Sequence, residues 1–302
     1  MDALALLDQF LTENKIAFSA EVPMKDYTTF KIGGNCRRMI WPSSVSEIQM
    51  ILKFRQETPF LLYLIGNGSN LLVSDEGIDG VVLQLGSRFS AISLDGETDI
   101  VCESGASLAR VCVFAREHGF SGLEFAYGIP GSVGGAAYMN AGAYGGEMKD
   151  VIAWCEHFDQ MGNLKRLSGE ELKFSYRHSI YTDTENCIVR VCFRLKCGRR
   201  EEIGAAMDDY MERRRSKQPL EFPSAGSAFK RPKGGYASAL IDQCGLKGYS
   251  CGGAKISEKH AGFIVNYKNA TCKDVLKLMC EVSDKVRKET GFVLEPEVKQ
   301  LP

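Results

Sequence analysis

A glycine-dense segment at residues 117–147 carries the strongest chemical signal of the sequence. It reads EHGFSGLEFAYGIPGSVGGAAYMNAGAYGGE and mixes nine glycines with aromatic and apolar residues. Flexible linkers are polar and lack aromatic residues. Glycine lets a backbone approach a ligand closely, and successive free N–H groups form concave sites for phosphate. The segment therefore predicts a site for a phosphate-containing ligand, and a set of turns in a β-rich domain is the alternative.

A second glycine turn, G-N-G-S-N at residues 66–70, follows an apolar strand pattern. It lacks the third glycine of a dinucleotide-binding fingerprint, and residues 71–73 lead into another turn instead of a helix. We interpret the turn as a phosphate- or ribose-facing loop between strands. A plain hairpin turn is the alternative.

Three polar clusters lie further along the chain, and they read S-Y-R-H-S at residues 175–179, S-A-G-S-A-F-K at residues 224–230 and L-E-P-E-V at residues 294–298. The planar fork of an arginine suits a carboxylate, and a buried carboxyl group that is kept neutral can donate a hydrogen bond. Taken singly, a serine after Ala-Gly is usually a turn residue. The clusters indicate a function only when they are considered together.

The elements that must position these groups follow from the spacing of apolar residues. Residues 2–13 predict a small amphipathic helix, and a β-α-β pattern follows, with its helix begun by a Ser44/Glu47 capping box. The further predicted elements are strands at 37–41, 60–65, 81–85, 99–103, 187–197, 263–266 and 292–298, a hairpin turn at 160–163, and helices from 107 to about 118, from 203 to 215, at 236–243 and at 271–290.

Composition excludes several classes of function. The 302 residues carry a formal net charge of −1, so no basic field attracts nucleic acid. The N-terminus lacks the basic start of a signal peptide, and no apolar run is long enough to span a bilayer, which predicts a cytoplasmic protein. Eleven scattered cysteines, with no C-x-x-C pair, predict reduced thiols and no metal site. No required protein partner is evident in the sequence.

Six motifs in order give the sequence a family resemblance. They are G-N-G-S-N, G-I-P-G-S-V-G-G-A, M-N-A-G-A-Y-G-G-E, S-Y-R-H-S, A-G-S-A-F-K and E-P-E-V. This set, from about Tyr27 to Glu297, resembles the UDP-N-acetylenolpyruvoylglucosamine reductase family. The resemblance implies an α+β fold with a p-cresol methylhydroxylase-type FAD-binding part of two α+β subdomains, at residues 1–85 and 86–200. A C-terminal α+β substrate-binding domain would occupy residues 201–302.

The resemblance implies non-covalently bound FAD, NADPH as co-substrate, and reduction of a UDP-sugar enolpyruvyl ether in peptidoglycan precursor synthesis. None of the four histidines lies within the glycine-rich core, which disfavours a covalent flavin link. The residues that the resemblance assigns to FAD are Gly66, Asn67, Gly68, Ser69, Asn70, Gly128, Ile129, Pro130, Gly131, Ser132, Gly134, Gly135 and Ala136.

The resemblance also implies three catalytic residues. Ser227 would deliver a proton, while Arg177 and Glu297 would stabilise the enolate that forms on the substrate. Glu295, two residues before Glu297, is the alternative for the inward-facing carboxyl group. The residues that the resemblance assigns to the substrate are Tyr176, Lys217, Lys230 and Asn140. Which cation meets the diphosphate stays open among Lys217, Lys230, Arg213, Arg214, Arg215 and Arg231.

The sequence also bears on the subtype and on alternative functions. About 40 residues separate Ser227 from the predicted helix at Thr271, which favours the shorter form of the family, without an inserted loop. One alternative function is that of another flavin oxidoreductase of the same fold, acting on a different alcohol or sugar. A second alternative, a non-catalytic protein that binds nucleotide sugars, is disfavoured by the presence of Arg177, Ser227 and Glu297.

Overall fold

The computed structural model describes residues 2–302, which form two compact units. Unit 1 comprises the residues up to Ala20 together with Arg38–Asn67 and Gly80–Glu212. Unit 2 comprises Glu21–Arg37, Gly68–Asp79 and Arg213–Pro302. The division into domains 1–85, 86–200 and 201–302 stays a prediction.

Within residues 2–302 the α-helices are α1 (Ala3–Glu13), α2 (Val45–Glu57), α3 (Leu108–Glu117), α4 (Val133–Met139), α5 (Arg200–Lys217), α6 (Ala237–Gln243) and α7 (Cys272–Thr290). The strands are β1 (Ala17–Pro23), β2 (Asn35–Trp41), β3 (Leu62–Ile65), β4 (Leu71–Val73), β5 (Ile78–Gln84), β6 (Ile92–Asp95), β7 (Asp99–Glu103), β8 (Phe120–Ser121), β9 (Gly142–Ala143), β10 (Gly146–Glu147), β11 (Ile152–Phe158), β12 (Leu164–Ser168), β13 (Cys187–Arg194), β14 (Lys196–Cys197), β15 (Ser224–Ser227), β16 (Ser250–Cys251), β17 (Ala254–Ile256), β18 (Phe263–Asn266) and β19 (Lys299–Leu301). Short 3-10 turns connect several of them.

Unit 1 is built on two sheets. In the first, β3 and β5 pair in parallel, with Leu62 beside Val81. The second is antiparallel, in the order β12-β11-β13-β7-β6. Its central strand β13 is buried along almost its whole length, so an apolar side chain suits both of its faces. The apolar faces of α3 and α4 complete the core around this sheet, and α4 leads out of the glycine-rich loop.

Unit 2 has one larger antiparallel sheet, in the order β15-β18-β17-β16, and a parallel pair of β4 with β19. Helices α6 and α7 pack against the larger sheet. Thr271 and Asp274 form a capping box at the start of α7, and Gly291 ends it with a φ of 77°. The predicted stripe Val275, Leu278, Val282 and Val286 is fully buried, which confirms this helix and its orientation.

Three predictions from the sequence need correction. Residues 292–298 form no regular strand: a single bridge pairs Pro296 with Phe229, through the hydrogen bonds of Lys230 N–H to Glu295 O and Glu297 N–H to Ala228 O, and β19 begins later. The predicted strand 187–197 breaks at Leu195, where pairing passes from β7 to β8. The Ser44/Glu47 pair is not reciprocal, since Glu47 Oε2 accepts the N–H of Ser43 at 2.7 Å.

All eleven cysteines are free thiols, and most are buried. Burial raises the pKa of Cys36 to about 11 and that of Cys187 to about 12. These thiols therefore stay protonated and pack as small apolar side chains. They make no contribution to catalysis that requires a thiolate.

Two histidines should make the stability of the protein depend on pH. Burial lowers the pKa of His157, whose Nδ1 lies 3.2 Å from Tyr181 Oη, and of His260. In the unfolded chain each histidine binds a proton near its ordinary pKa of 6.5, whereas the buried imidazole resists protonation. The contribution of these histidines to the free energy of unfolding should therefore be fully present above pH 6.5 and be lost as the pH falls below that value. The slope should reach at most about 1.4 kcal/mol per pH unit for each histidine.

Thermal melts from about pH 8 to about pH 5 test this expectation. His157→Gln should flatten the acid side of the profile, because the glutamine does not titrate. An unfolding midpoint that stays constant through this range would contradict the burial of neutral imidazoles.

Candidate active site

The glycine-rich loop of unit 1 is held by Ser132. This side chain is 2% exposed, and its Oγ caps α4 by accepting the N–H of Gly135 at 3.3 Å. Gly66, from the other glycine turn, packs against the same serine: a Cβ at Gly66 would overlap Ser132 Oγ. The structure therefore brings the unit 1 end of G-N-G-S-N into contact with G-I-P-G-S-V-G-G-A.

The backbone N–H groups around these two glycine turns differ in whether they have an acceptor within the described protein. Those of Val133 and Gly134 donate to Ala106 O and Ser104 O, each at 2.8 Å, so the first turn of α4 is satisfied within the protein. The N–H of Asn67 has no acceptor among residues 2–302. Glycine in the α4 loop thus serves close packing, whereas the G-N-G-S-N turn offers a donor to a ligand.

A buried hydroxyl group marks the same place in unit 1. Ser104 is 1% exposed, and its Oγ has no hydrogen-bond partner in the described part of the chain. A Cβ at Gly134 would come within 2.7 Å of Ser104 Cβ, so the serine lies directly under the loop. An unpaired buried hydroxyl costs about 1–3 kcal/mol, and a polar ligand would remove that cost.

Unit 2 holds the rest of the G-N-G-S-N turn. Gly68 has a φ of 62°, and a Cβ there would overlap the carbonyl of Tyr27, so only glycine fits. The carbonyl of Gly68 accepts the N–H of Thr29 at 3.3 Å. The N–H groups of Gly68 and Ser69 find no acceptor anywhere in the described range. The turn joins β3 to β4, which do not pair, so the hairpin alternative is wrong.

Unit 2 also presents Ser227 on a β-bulge. Ser224 faces Val265 and Ser227 faces Phe263, so β15 carries one residue more than its partner. Gly226 absorbs the extra residue with a φ of 77°. Ser227 is partly buried, and its hydroxyl has no hydrogen-bond partner in residues 2–302. Bulges re-aim side chains next to active sites, and this one leaves a hydroxyl available for chemistry.

Glu297 lies beside this bulge. Its N–H donates to Ala228 O at 2.9 Å, and its carbonyl accepts from Asn70 Nδ2 at 3.1 Å. Unit 2 therefore brings together A-G-S-A-F-K, E-P-E-V and the end of G-N-G-S-N. Glu297 is partly buried, whereas the Glu295 side chain is 70% exposed and lies 3.5 Å from Lys230 Nζ. This burial favours Glu297 as the carboxyl group of the site.

Arg177 lies at the tip of a two-residue turn in unit 1. Ser175 and His178 exchange both backbone hydrogen bonds at 3.1 Å, and Arg177 takes a φ of 55°. Left-handed backbone is rare for a side chain of this size and often marks a functional position. Its guanidinium lies 3.5 Å from Gly142 O. The Tyr176 ring, 45% exposed, lies 5.2 Å from the guanidinium carbon.

Asn140 and Lys217 differ in their surroundings. Asn140 is 1% exposed, and both N–H groups of its amide are used, toward Glu147 Oε2 and Ser175 O. Lys217 is the exposed last residue of α5, in unit 2. A direct substrate contact for either residue stays a prediction.

Two residues at the candidate site, Ser104 and Thr29, were not predicted from the sequence. Ser104 has no motif of its own, and only its orphaned hydroxyl identifies it. Thr29 holds both the carbonyl of Gly68 and, through its Oγ1, that of Ser224 at 2.7 Å. The pattern that could have indicated Thr29 is the nearby Gly33-Gly34 pair, because a Cβ at Gly33 would collide with Val73 of β4 and one at Gly34 with the turn after β4.

The residues present suit a bound dinucleotide cofactor. In unit 1, Ser104 Oγ is buried without a partner and the N–H of Asn67 has no acceptor in residues 2–302; in unit 2, the N–H groups of Gly68 and Ser69 likewise have none there. Phosphate and ribose oxygens supply such groups. Within residues 2–302 no cluster of histidine, cysteine or acidic side chains is arranged for a metal ion. No described helix has the length and apolar content to cross a membrane.

Comparison with known proteins agrees with these features. Residues 37–168 match the family model of the FAD binding domain, and residues 218–301 match that of the UDP-N-acetylenolpyruvoylglucosamine reductase C-terminal domain. The structure of this reductase from Thermus caldophilus superimposes with a TM-score of 0.80 and 36% identity, over 95% of this chain and 99% of that one.

Two relatives with the same name are more similar in sequence. The reductase of Caldanaerobacter subterraneus subsp. tengcongensis is 47% identical over 97% of this chain and 96% of its own length. That of Geobacillus thermodenitrificans is 45% identical over 92% of this chain and 91% of its own length.

The fold and the site define the class of an FAD-dependent oxidoreductase, and the predicted α+β fold with an FAD-binding part and a C-terminal substrate-binding part is confirmed. Within that class, the chain belongs to the UDP-N-acetylenolpyruvoylglucosamine reductase family. The segment between Ser227 and α7 contains only α6 and β16–β18 in the described chain, which agrees with the shorter form of the family.

Gly66→Ala should weaken FAD binding. The new Cβ would push against Ser132 Oγ and so disturb the cap of α4. Overpacking costs about 1–3 kcal/mol, roughly fivefold to more than a hundredfold if it falls on cofactor affinity. The flavin-to-protein ratio and a titration of the stripped protein with FAD measure the effect.

Gly204→Ala is the matched control, because its Cβ would meet only Arg116 Cδ at 3.5 Å. Adding Ser132→Gly to Gly66→Ala should recover part of the affinity. Undiminished FAD binding by Gly66→Ala would remove this contact from the cofactor site.

Proposed function

We propose that this enzyme uses NADPH to reduce UDP-N-acetylglucosamine enolpyruvate to UDP-N-acetylmuramate, in the cytoplasmic synthesis of peptidoglycan precursors. The proposal rests on family membership and on one observation in unit 2: a hydroxyl without a protein partner, Ser227, presented on a bulge beside the strand segment of Glu297. A protein that only binds nucleotide sugars has no need of such an arrangement.

FAD, when bound, would supply hydride transfer from NADPH to the enolpyruvyl double bond. We propose that its binding is non-covalent and involves the glycine-rich residues Gly66 to Asn70 and Gly128 to Ala136. In this group, Gly66 packs against Ser132 and Gly134 packs against Ser104, and the N–H groups of Asn67, Gly68 and Ser69 provide donors. Phosphate oxygens are the natural acceptors for these donors.

Hydride addition places negative charge on the carbon next to the substrate carboxylate, and this charge spreads into an enolate. Stabilising it requires donors that are fixed before the reaction. We assign this role to Arg177. Two backbone hydrogen bonds of 3.1 Å close its left-handed turn, and they fix the conformation of the backbone that carries the guanidinium. Its planar fork can donate two parallel hydrogen bonds to the carboxylate.

Ser227 is the proposed proton donor to the enolate carbon. A serine hydroxyl is a weak acid, and a strongly basic carbanion is the partner that matches it. The hydroxyl makes no hydrogen bond within the described protein that would have to break first. We propose that Glu297 adds a hydrogen bond to the developing charge. Glu297 is preferred over Glu295 because Glu295 is exposed and pairs with Lys230.

The proposed substrate contacts are Tyr176, Lys217 and Lys230, and the UDP diphosphate is the group that needs cations. The committed amide of Asn140 leaves it no free donor for a direct contact. Lys217 is exposed, and Lys230 would exchange its exposed Glu295 partner for phosphate. Such an exchange is inexpensive, because exposed ion pairs contribute about 0–1 kcal/mol. The substrate is thus a UDP sugar, and the proposal requires no protein partner, nucleic acid, membrane or metal.

Ser227→Ala should separate the two half-reactions. Flavin reduction by NADPH needs no proton for the sugar and should stay near normal. Flavin reoxidation by the enolpyruvyl substrate should slow on the order of a hundredfold or more, because a transition-state proton donor is lost. Stopped-flow absorbance of the flavin measures each half-reaction separately.

Ser224→Ala, on the same strand, is the matched control and should leave both halves unchanged. Ser227→Cys restores an acidic hydrogen and should recover part of the rate. Equal slowing of both halves in Ser227→Ala would indicate a distorted cofactor site, and an unaffected second half would take Ser227 out of the mechanism.

A further inference from the structure

We propose that Asn140 and Glu147 are positioning residues that hold Arg177 in its reactive orientation. Asn140 precedes β9 and Glu147 ends β10, and both belong to unit 1. The Asn140 amide contacts both Glu147 and the Arg177 turn. The inference rests on the proposed role of Arg177 in stabilising the enolate. It gives Asn140 a role that acts through another residue instead of through direct contact with the substrate.

The amide of Asn140 is committed to the protein. Its Nδ2 donates to Ser175 O and to Glu147 Oε2, both at 2.9 Å, and its Oδ1 accepts the N–H of Lys149 at 2.9 Å. Both donors are used, and the side chain is 1% exposed. The residue is therefore unsuited to donating to a sugar nucleotide and well suited to fixing the segments it joins.

These segments are the ones that determine where the guanidinium lies. Ser175 is the first residue of the turn that carries Arg177, and its carbonyl receives the Asn140 amide. Gly142, two residues after Asn140, offers the carbonyl that lies 3.5 Å from both terminal nitrogens of Arg177. Asn140 thus fixes the backbone at one end of the arginine and the hairpin that contacts its other end.

Glu147 holds the Asn140 amide in this orientation. Its Oε2 also accepts from Lys149 Nζ at 2.9 Å, and the hydrogen bond from Lys149 is the main reason that its pKa is lowered. The carboxylate therefore stays charged near neutral pH. Glu147 and Asp150 also cap each other's backbone, which anchors the end of the hairpin.

Asn140→Gly removes the amide without straining the backbone. Asn140 has a φ of 42°, a conformation that glycine adopts readily. Flavin reoxidation by the enolpyruvyl substrate should slow by roughly tenfold to a hundredfold at saturating substrate, because a misplacement of about 1 Å has that scale of effect. Flavin reduction by NADPH and FAD affinity should stay unchanged.

Asn269→Gly is the matched control, since Asn269 has a φ of 50°, is exposed and makes no side-chain hydrogen bond in the described chain. Glu147→Gln should give a smaller slowing of the same half-reaction, and it provides a second probe if Asn140→Gly melts early. A slowing of flavin reduction as large as that of reoxidation, in either variant, would overturn the proposal.

A double-mutant cycle with Arg177→Ala shows whether Asn140 acts through the arginine. The prediction is that Asn140→Gly changes reoxidation by less than about twofold once Arg177 is absent. If Arg177→Ala slows reoxidation and Asn140→Gly multiplies that loss by its full factor, only the positioning role is wrong. If Arg177→Ala alone leaves reoxidation intact, the role proposed for the arginine fails, and positioning fails with it.

Discussion

Left-handed backbone at a few positions is the constraint on which the candidate functional residues of each unit depend. Gly68 and Gly226 adopt it where a turn and a bulge present an N–H group and a hydroxyl, and Arg177 and Asn140 adopt it with full side chains. A non-glycine residue in this region costs roughly 1–3 kcal/mol and persists only where the surrounding structure enforces it. Here the enforcement is visible as hydrogen bonds: the closed Ser175–His178 turn around Arg177, and three bonds to the Asn140 amide. Of the eight non-glycine residues with positive φ, Arg177 and Asn140 are the two whose conformation supports a proposed function.

Polar groups that lack a hydrogen-bond partner in the described chain also mark the candidate functional residues. Most polar groups of the glycine-rich region are satisfied internally, including the first turn of α4. The Ser104 hydroxyl is buried without a partner, and the N–H groups of Asn67, Gly68 and Ser69 and the hydroxyl of partly buried Ser227 also lack a partner within residues 2–302. Buried polar groups in native proteins are normally paired, so the Ser104 hydroxyl is the exception that a bound ligand would explain. We propose that the other groups are available to cofactor and substrate.

Local periodicity was enough to predict most of the elements. Strand β7, strand β18 and helix α7, with its Gly291 cap, match the prediction because each has a strong internal pattern and clear end signals. Residues 292–298 were predicted as a strand, yet their pairing is limited to the one bridge between Pro296 and Phe229. The six motifs led to the site residues, but spacing alone could not indicate Ser104, Thr29 or the commitment of the Asn140 amide. Those features depend on contacts between residues far apart in the chain, and only the folded structure shows them.

The most direct measurement follows the flavin through one complete turnover. The purified protein is reduced anaerobically with NADPH, and UDP-N-acetylglucosamine enolpyruvate is then added while the flavin absorbance is recorded. We expect NADPH to bleach the flavin absorbance. After addition of the enolpyruvyl nucleotide, the oxidised spectrum should recover rapidly, with formation of one UDP-N-acetylmuramate for each flavin. A flavin that is reduced by NADPH but stays bleached after addition of the enolpyruvyl nucleotide, and recovers only with another acceptor, would contradict the proposed function.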